Sequence, residues 1–341
     1  MSSPFVFPSS VPLAQKPTPL MPLSRLSREL GRRIWIKRDD LTGSLLSGNK
    51  VRKLEFVIAE ALTRGADTLV TCGGLQSNHC RATAFVAASV GLDCELVLRG
   101  EPEGHLDGNL LLSALAGARV HTHKPVEYYQ HLPELLAERM DTVTRAGREP
   151  YLITTGASDG VGIWGYIKAA EELAEDCRRL AISAPEVICA TGSGGTLAGL
   201  ATGLWRYLPD ARVVGVAVCD SAAYFRQRVA EDVSAAMLAY PHAGLQEPDN
   251  FTITDHYIGP GYARADAEIY QLIAQLARTE GVLLDQVYTA KAFYGMLAEL
   301  KLGHLTAEDI IFVHTGGVFG LFPERQALMA ALTEAAPGSI N

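Results

Sequence analysis

The sequence predicts an α/β protein with two domains, each built on a twisted and mainly parallel sheet. Three observations carry this. Short apolar runs alternate with longer segments of helical period, once over about residues 67–154 and again from Pro185 onward. The loops between them are short, which argues for parallel sheets covered on both faces. A length of 341 residues accommodates two domains.

Taken in order, residues 1–24 are rich in proline and serine, and Lys16-Pro17-Thr18-Pro19-Leu20 should be extended, because a residue before proline is pushed out of the helical region. Gly31 marks a turn before a strand over 33–38. A helix follows over 51–64, with Leu54, Ile58, Ala61 and Leu62 at helical spacing. The first series then reads as strand 67–72, helix 77–90, strand 94–98, helix 106–116, strand 119–122, helix 133–146 and strand 151–154. Gly156–Gly165 is glycine-rich and leads into a helix over 166–179. The second series reads as strand 187–190, helix 196–207, strand 212–219, helix 221–238, helices 265–279 and 290–300, and strand 310–314. Residues 241–254 read as irregular and the last dozen as frayed. No Gly/Ser linker separates the halves. We expect residues 55–155 to form a small domain between the two parts, 1–54 and 156–341, of a larger one. The domains should meet across a cleft, where α/β proteins bind ligands.

Composition narrows the function classes. Hydrophobic residues make up 48% and charged residues 20%, as in soluble globular proteins. The net charge of −8 argues against nucleic acid as a partner, which would want a basic face. No apolar run approaches the roughly 20 residues of a membrane helix, and Met1–Pro12 lacks the basic and apolar regions of a secretory signal. The six cysteines include no CxxC pair, so reduced thiols in a cytoplasmic protein are expected. His121 and His123 share one face of a strand. Without a third ligand they mean a polar face rather than a metal site.

Two stretches carry the chemistry. Gly48-Asn49-Lys50 places a lysine just after a flexible pair at a helix start. Gly192-Ser193-Gly194-Gly195-Thr196 is a glycine-rich loop between an apolar strand and a helix. Alone, such a lysine is usually solvated and such a loop is an ordinary turn. Together they offer an amine for a Schiff base and backbone N–H groups converging on a phosphate. That combination is what pyridoxal 5'-phosphate requires. A dinucleotide is disfavoured, because the loop lacks the G-x-G-x-x-G spacing.

With these residues stand Trp35-Ile36-Lys37-Arg38-Asp39-Asp40-Leu41-Thr42, Arg52-Lys53-Leu54-Glu55, Gly73-Gly74-Leu75-Gln76-Ser77-Asn78-His79-Cys80-Arg81, Leu283-Leu284-Asp285-Gln286-Val287-Tyr288-Thr289 and His314-Thr315-Gly316-Gly317. In this order the chain resembles the fold-type II pyridoxal-phosphate enzymes (tryptophan synthase β-like), and specifically the D-cysteine desulfhydrase and 1-aminocyclopropane-1-carboxylate (ACC) deaminase family. The resemblance covers about residues 15–322. It implies that Lys50 carries the cofactor and then serves as the base near Cα, with Asn49 beside it as a cofactor-binding residue. Asn78 would bind the phenolic oxygen. The N–H groups of Ser77 to His79 would take the substrate carboxylate, with the Ser77 hydroxyl as a substrate or relay group. Gly192, Ser193, Gly194, Gly195 and Thr196 would form the phosphate cup, and Thr315 would meet the pyridine nitrogen. Tyr262, Tyr288 and Thr289 would face substrate. A homodimer acting on a small amino acid is also implied.

Relatives of ACC-deaminase type carry Glu and Leu where this chain has Thr289 and Thr315, so the resemblance implies a desulfhydrase. D-cysteine would give pyruvate, sulfide and ammonia. The alternatives are ACC ring opening, elimination from another β-substituted alanine such as cysteate, and a non-catalytic regulatory protein that binds the cofactor. Gln286 and Ala290 depart from the family's usual Pro and Gly, which bears on the shape of the substrate wall.

Overall fold

The computed structural model describes residues 5–102, 104 and 106–334. The chain enters through β1 (Leu20–Pro22), α1 (Ser24–Leu30) and β2 (Arg33–Lys37). Gly31 closes α1 in the left-handed region at φ 61°, as the turn before β2 requires. Neither β1 nor α1 is evident in the sequence. β1 has three residues, and α1 buries only Leu26, so its apolar period is weak. α2 (Asn49–Thr63) starts at the lysine motif.

The first series is β3 (Thr68–Gly74), α3 (Asn78–Val90), β4 (Asp93–Arg99), α4 (Gly108–Leu115), β5 (Arg119–His123), α5 (Pro125–Arg145) and β6 (Pro150–Leu152). Its strands form a parallel sheet in the order β5-β4-β3-β6. α5 begins at Pro125, ahead of the start expected at Pro133. Pro133 instead marks a kink, with His131 at φ −130°. Proline lacks the N–H and crowds the preceding turn.

The second series is α6 (Trp164–Arg179), β7 (Glu186–Thr191), α7 (Gly195–Tyr207), β8 (Arg212–Ala217), α8 (Ala222–Ala239), β9 (Phe251–Thr254), α9 (Ala267–Glu280), α10 (Thr289–Lys301), β10 (Asp309–Val313) and α11 (Arg325–Glu334). The larger sheet runs β1-β2-β10-β7-β8-β9, with only β1 antiparallel. Two expectations are corrected here. Part of the irregular 241–254 is β9, a four-residue edge strand paired with β8. Part of the frayed end is α11, whose Ala331 is buried in the core. The remainder of that end, 335–341, and the first four residues of the segment read for a signal lie outside the described residues. The expected α/β class with mainly parallel sheets holds. Among the described residues no helix is long and apolar enough to cross a membrane.

Side-chain alternation explains the layers. Val187 and Cys189 of β7 enter one core with α6 and α7, while Ile188 and Ala190 enter another with α9 and α10. A third core joins α2 and α3 to the smaller sheet through Leu54, Ile58, Leu69 and Leu96. α2 also sends Phe56 into the first core, so the helix carrying Lys50 is fixed on two sides. Gly165 lets α6 approach it. A Cβ there would lie 2.3 Å from the Arg52 carbonyl oxygen.

Candidate active site

The segments after β3, β7, β8 and β10 open into one cavity of about 690 Å³, on the carboxyl side of parallel strands, where such folds bind ligands. Lys50 is the second residue of α2. Before it, Gly48 sits at φ 97°, and a Cβ there would come within 2.7 Å of the Thr315 carbonyl oxygen. The Asn49 N–H donates to that same oxygen at 3.1 Å. The helix start is thereby pinned to the segment after β10. The Lys50 amine hydrogen-bonds to no described residue. Burial lowers it to about 8. Cys80 could oppose this only as a thiolate, and burial pushes that thiol up, keeping it neutral.

One turn along, Lys53 is fully buried and donates to the Gly156 carbonyl at 2.7 Å and to Ser158 Oγ at 2.8 Å. Ser158 Oγ also meets Ser193 Oγ at 2.8 Å and accepts from the Gly195 N–H at 3.2 Å. A Cβ on Gly195 would lie 2.7 Å from Ser158 Oγ and 2.8 Å from Lys53 Nζ. The glycine loop thus lies directly over a buried amine. Burial, with the nearby Lys50, holds the Lys53 ammonium well below its usual value, and an anion at the loop would reverse that. Gly194, at φ 89°, caps α7 without a side chain, which leaves helix-start N–H groups for a ligand. Asn49 Nδ2 donates to Thr196 Oγ1 at 2.9 Å and ties this cradle to the lysine helix. The cradle fits a phosphate, and the buried Lys50 amine beside it fits an aldehyde.

Ser77 caps α3, its Oγ accepting from the Cys80 N–H at 3.2 Å, and it also lines the cavity. Asn78 Oδ1 accepts from Asn109 Nδ2 at 2.9 Å, which leaves the Asn78 amide N–H group as its free donor. His79 lines the wall at the same helix start. Its Nε2 meets Thr71 Oγ1 at 2.9 Å. Burial, followed by the charges of Lys50 and Lys53, holds the imidazole neutral.

Across the cavity, the Tyr262 and Tyr288 hydroxyls are 2.6 Å apart. Burial raises both phenols, and the neighbouring Tyr262 raises Tyr288 further, so the pair is protonated at neutral pH. Lys291 holds the Tyr262 loop by donating to the carbonyls of Ile258 and Gly261 at 2.7 and 2.8 Å. Thr315 lines the wall.

Thr289 does not line the wall, which corrects its expected place at the substrate. Its hydroxyl donates to Asp285 Oδ1 at 2.7 Å and accepts from the Asp285 N–H at 2.8 Å. As the first residue of α10 it projects about 100° from Tyr288. Gly195 likewise backs the cradle rather than lining the cavity. Gln286 and Ala290 are buried away from the wall. Asp285 collects the N–H groups of Val287, Tyr288 and Thr289, so Thr289 steadies Tyr288 from behind. Thr289→Val should cost about 1–3 kcal/mol by leaving Asp285 short of a donor. Urea denaturation beside wild type measures this, and an unchanged midpoint would refute the role.

The cavity also gathers residues that the sequence reading missed. Lys53 and Ser158 sit beneath the loop. Arg228 Nη2 donates to the Ser158 carbonyl at 3.4 Å. Arg99, Tyr128 and Tyr129 line the side formed by the smaller sheet. His121 is paired with Glu95 at 2.6 Å, and no metal-binding cluster occurs among the described residues.

The model of the family described as pyridoxal-phosphate dependent enzymes matches residues 11–316. The chain belongs to that family, and pyridoxal phosphate is its cofactor. It is 41% identical to a D-cysteine desulfhydrase of Klebsiella pneumoniae, over 90% of this chain and 93% of that one. It is 40% identical to the bifunctional mitochondrial D-cysteine desulfhydrase/1-aminocyclopropane-1-carboxylate deaminase of Arabidopsis thaliana, over 91% and 78%. A crystal structure of an ACC deaminase homologue superposes with a TM-score of 0.85 at 35% identity, over 95% and 96%. The expected family is confirmed.

Proposed function

We propose that the protein eliminates the β-substituent of small amino acids, with D-cysteine giving pyruvate, sulfide and ammonia. The observation that carries this is Lys50, a buried amine at about 8 with no hydrogen-bond partner among the described residues. About a tenth of such an amine is neutral at pH 7, enough to take a proton from Cα. When bound, pyridoxal phosphate supplies an aldehyde and an electron-withdrawing ring. The chain's own residues do the rest. Thr196 and the glycine loop hold the phosphate, with the Lys53 amine behind them. Ser77 and the start of α3 orient the substrate carboxylate. The protonated Tyr262–Tyr288 pair stands opposite as the proton source for the departing group. That arrangement goes beyond what cofactor storage alone would need, which supports catalysis over a regulatory role.

ACC ring opening is the second reading, favoured by the bifunctional Arabidopsis relative. ACC has no Cα proton, so the Lys50 base has nothing to remove at that carbon. Its ring must be opened by stronger electron withdrawal. Asp220 is the one carboxylate on the described cavity wall, and the wall carries the Thr315 hydroxyl. The expected result is pyruvate from D-cysteine and little or no 2-oxobutyrate from ACC in a screen that includes L-cysteine and β-chloro-D-alanine. A kcat/KM for ACC equal to or above that for D-cysteine would overturn the assignment.

A further inference from the structure

We infer that Arg99 is a substrate-binding residue that selects amino acids with a negative charge beyond Cβ, a carboxylate or a sulfonate. This rests on the elimination reading for where the substrate sits. Arg99 is the last residue of β4, and its backbone stands opposite Gly74 at the end of β3. The Gly74 carbonyl accepts from the Ser77 N–H at 3.0 Å. The guanidinium is therefore rooted beside the loop that opens α3, and it lines the cavity. Aromatic rings hold it there. Cζ lies 5.0 Å from the Tyr262 ring centre, 4.9 Å from that of Tyr129 and 5.7 Å from that of Tyr128. Nη1 donates to the Tyr129 hydroxyl at 2.6 Å.

Its unused donors point to a ligand. The other arginines noted around the site, Arg52 and Arg228, are each paired with carboxylates. Among the described residues no carboxylate pairs with Arg99, and no group accepts from its Nε or Nη2. Ring contacts satisfy the faces of a guanidinium and leave its edge, which matches a planar or tetrahedral oxyanion. Tyr262 joins this group directly to the Tyr288 hydroxyl. An anion on the substrate's side arm would thus meet Arg99 on the same side of the cavity as the tyrosine pair.

The test compares ligands of equal shape that differ by one charge. Aspartate against asparagine, and glutamate against glutamine, in both enantiomers, are titrated into the holoenzyme and followed by calorimetry. Wild type should bind at least one acid about tenfold more tightly than its amide, as a charge-assisted hydrogen bond implies. Arg99→Gln should bring that ratio near one, Arg99→Lys should keep part of it, and Arg99→Glu should invert it. A packing role would not produce inversion. A wild-type ratio near one, a ratio that Arg99→Gln and Arg99→Glu leave in place, or no binding of any of the four while β-chloro-D-alanine still yields pyruvate would each overturn the inference. If the uncharged variants fail to fold, wild type and Arg99→Lys decide it. A charge ratio intact in a holoenzyme that releases no pyruvate from any substrate would instead overturn the elimination reading alone.

Discussion

Lys50→Ala should lose pyruvate release by at least about 10³-fold, as expected when the group that bonds the cofactor and moves the proton is removed. Lys53 lies one turn away and is also buried, yet it cannot substitute. Its amine is committed to the Gly156 carbonyl and Ser158 Oγ beneath the glycine loop. The cradle of Ser193, Gly194 and Thr196 is untouched by the change, so the variant should still retain pyridoxal phosphate without a covalent link. Steady-state pyruvate assays and cofactor content after dialysis measure the two effects separately. Activity within tenfold of wild type would refute the role of Lys50.

Arg52→Met should destabilise the protein by about 3–5 kcal/mol, because it strands buried carboxylates rather than because it removes an attraction. Arg52 and Asp39 are each 1% exposed. The guanidinium spans Asp39 at 2.8 and 2.9 Å and Glu172 at 3.0 Å. Tyr166 donates to Asp39 at 2.6 Å, and Lys37 reaches Glu172 and Asp176 at 2.6 and 2.7 Å. Burial alone would raise the Glu172 carboxyl, but Arg52 and Lys37 hold it down at about 2. A depressed carboxyl contributes stability that is complete above its ordinary value of 4.5 and is lost as the pH falls towards 2. Without Arg52 that acid limb should move upward. The melting temperature at neutral pH should fall by roughly 4–7 °C. The loss reaches function because Arg52 is two residues from Lys50 on α2. Thermal melts at pH 7 and pH 4 test this, and a variant as stable as wild type at both would contradict it.

The parts of the site visible in the sequence are those whose chemistry and backbone geometry coincide. Gly48, Gly194 and Ser77 each mark a helix start, and each leads a functional segment into the cavity. Lys50, Asn78, Thr196, Tyr262, Tyr288 and Thr315 therefore arrive together from distant motifs. The resemblance puts Thr289 at the substrate beside Tyr288, but in the structure it lies about 100° around the start of α10 from Tyr288, against Asp285. Arg99 carried no signal. It ends an ordinary strand, and its meaning depends on Tyr262, more than 160 residues away in sequence. Tyr128 and Tyr129 were hidden for a different reason, since Pro133 masked the helix that carries them. Lys53 stands in the sequence only as part of a motif, with no role attached. Only the approach of Gly156 and Ser158 shows it to be buried. β9 was lost because a four-residue edge strand has too few positions to establish a period.

The central claim is that Lys50, and not its buried neighbour Lys53, bonds the cofactor. Borohydride reduction of the holoenzyme followed by peptide mass mapping tests it most directly. The account predicts a reduced pyridoxyl phosphate group on Lys50 alone, and its absence from the Lys50→Ala protein. Label on Lys53, or on no lysine of α2, would contradict it.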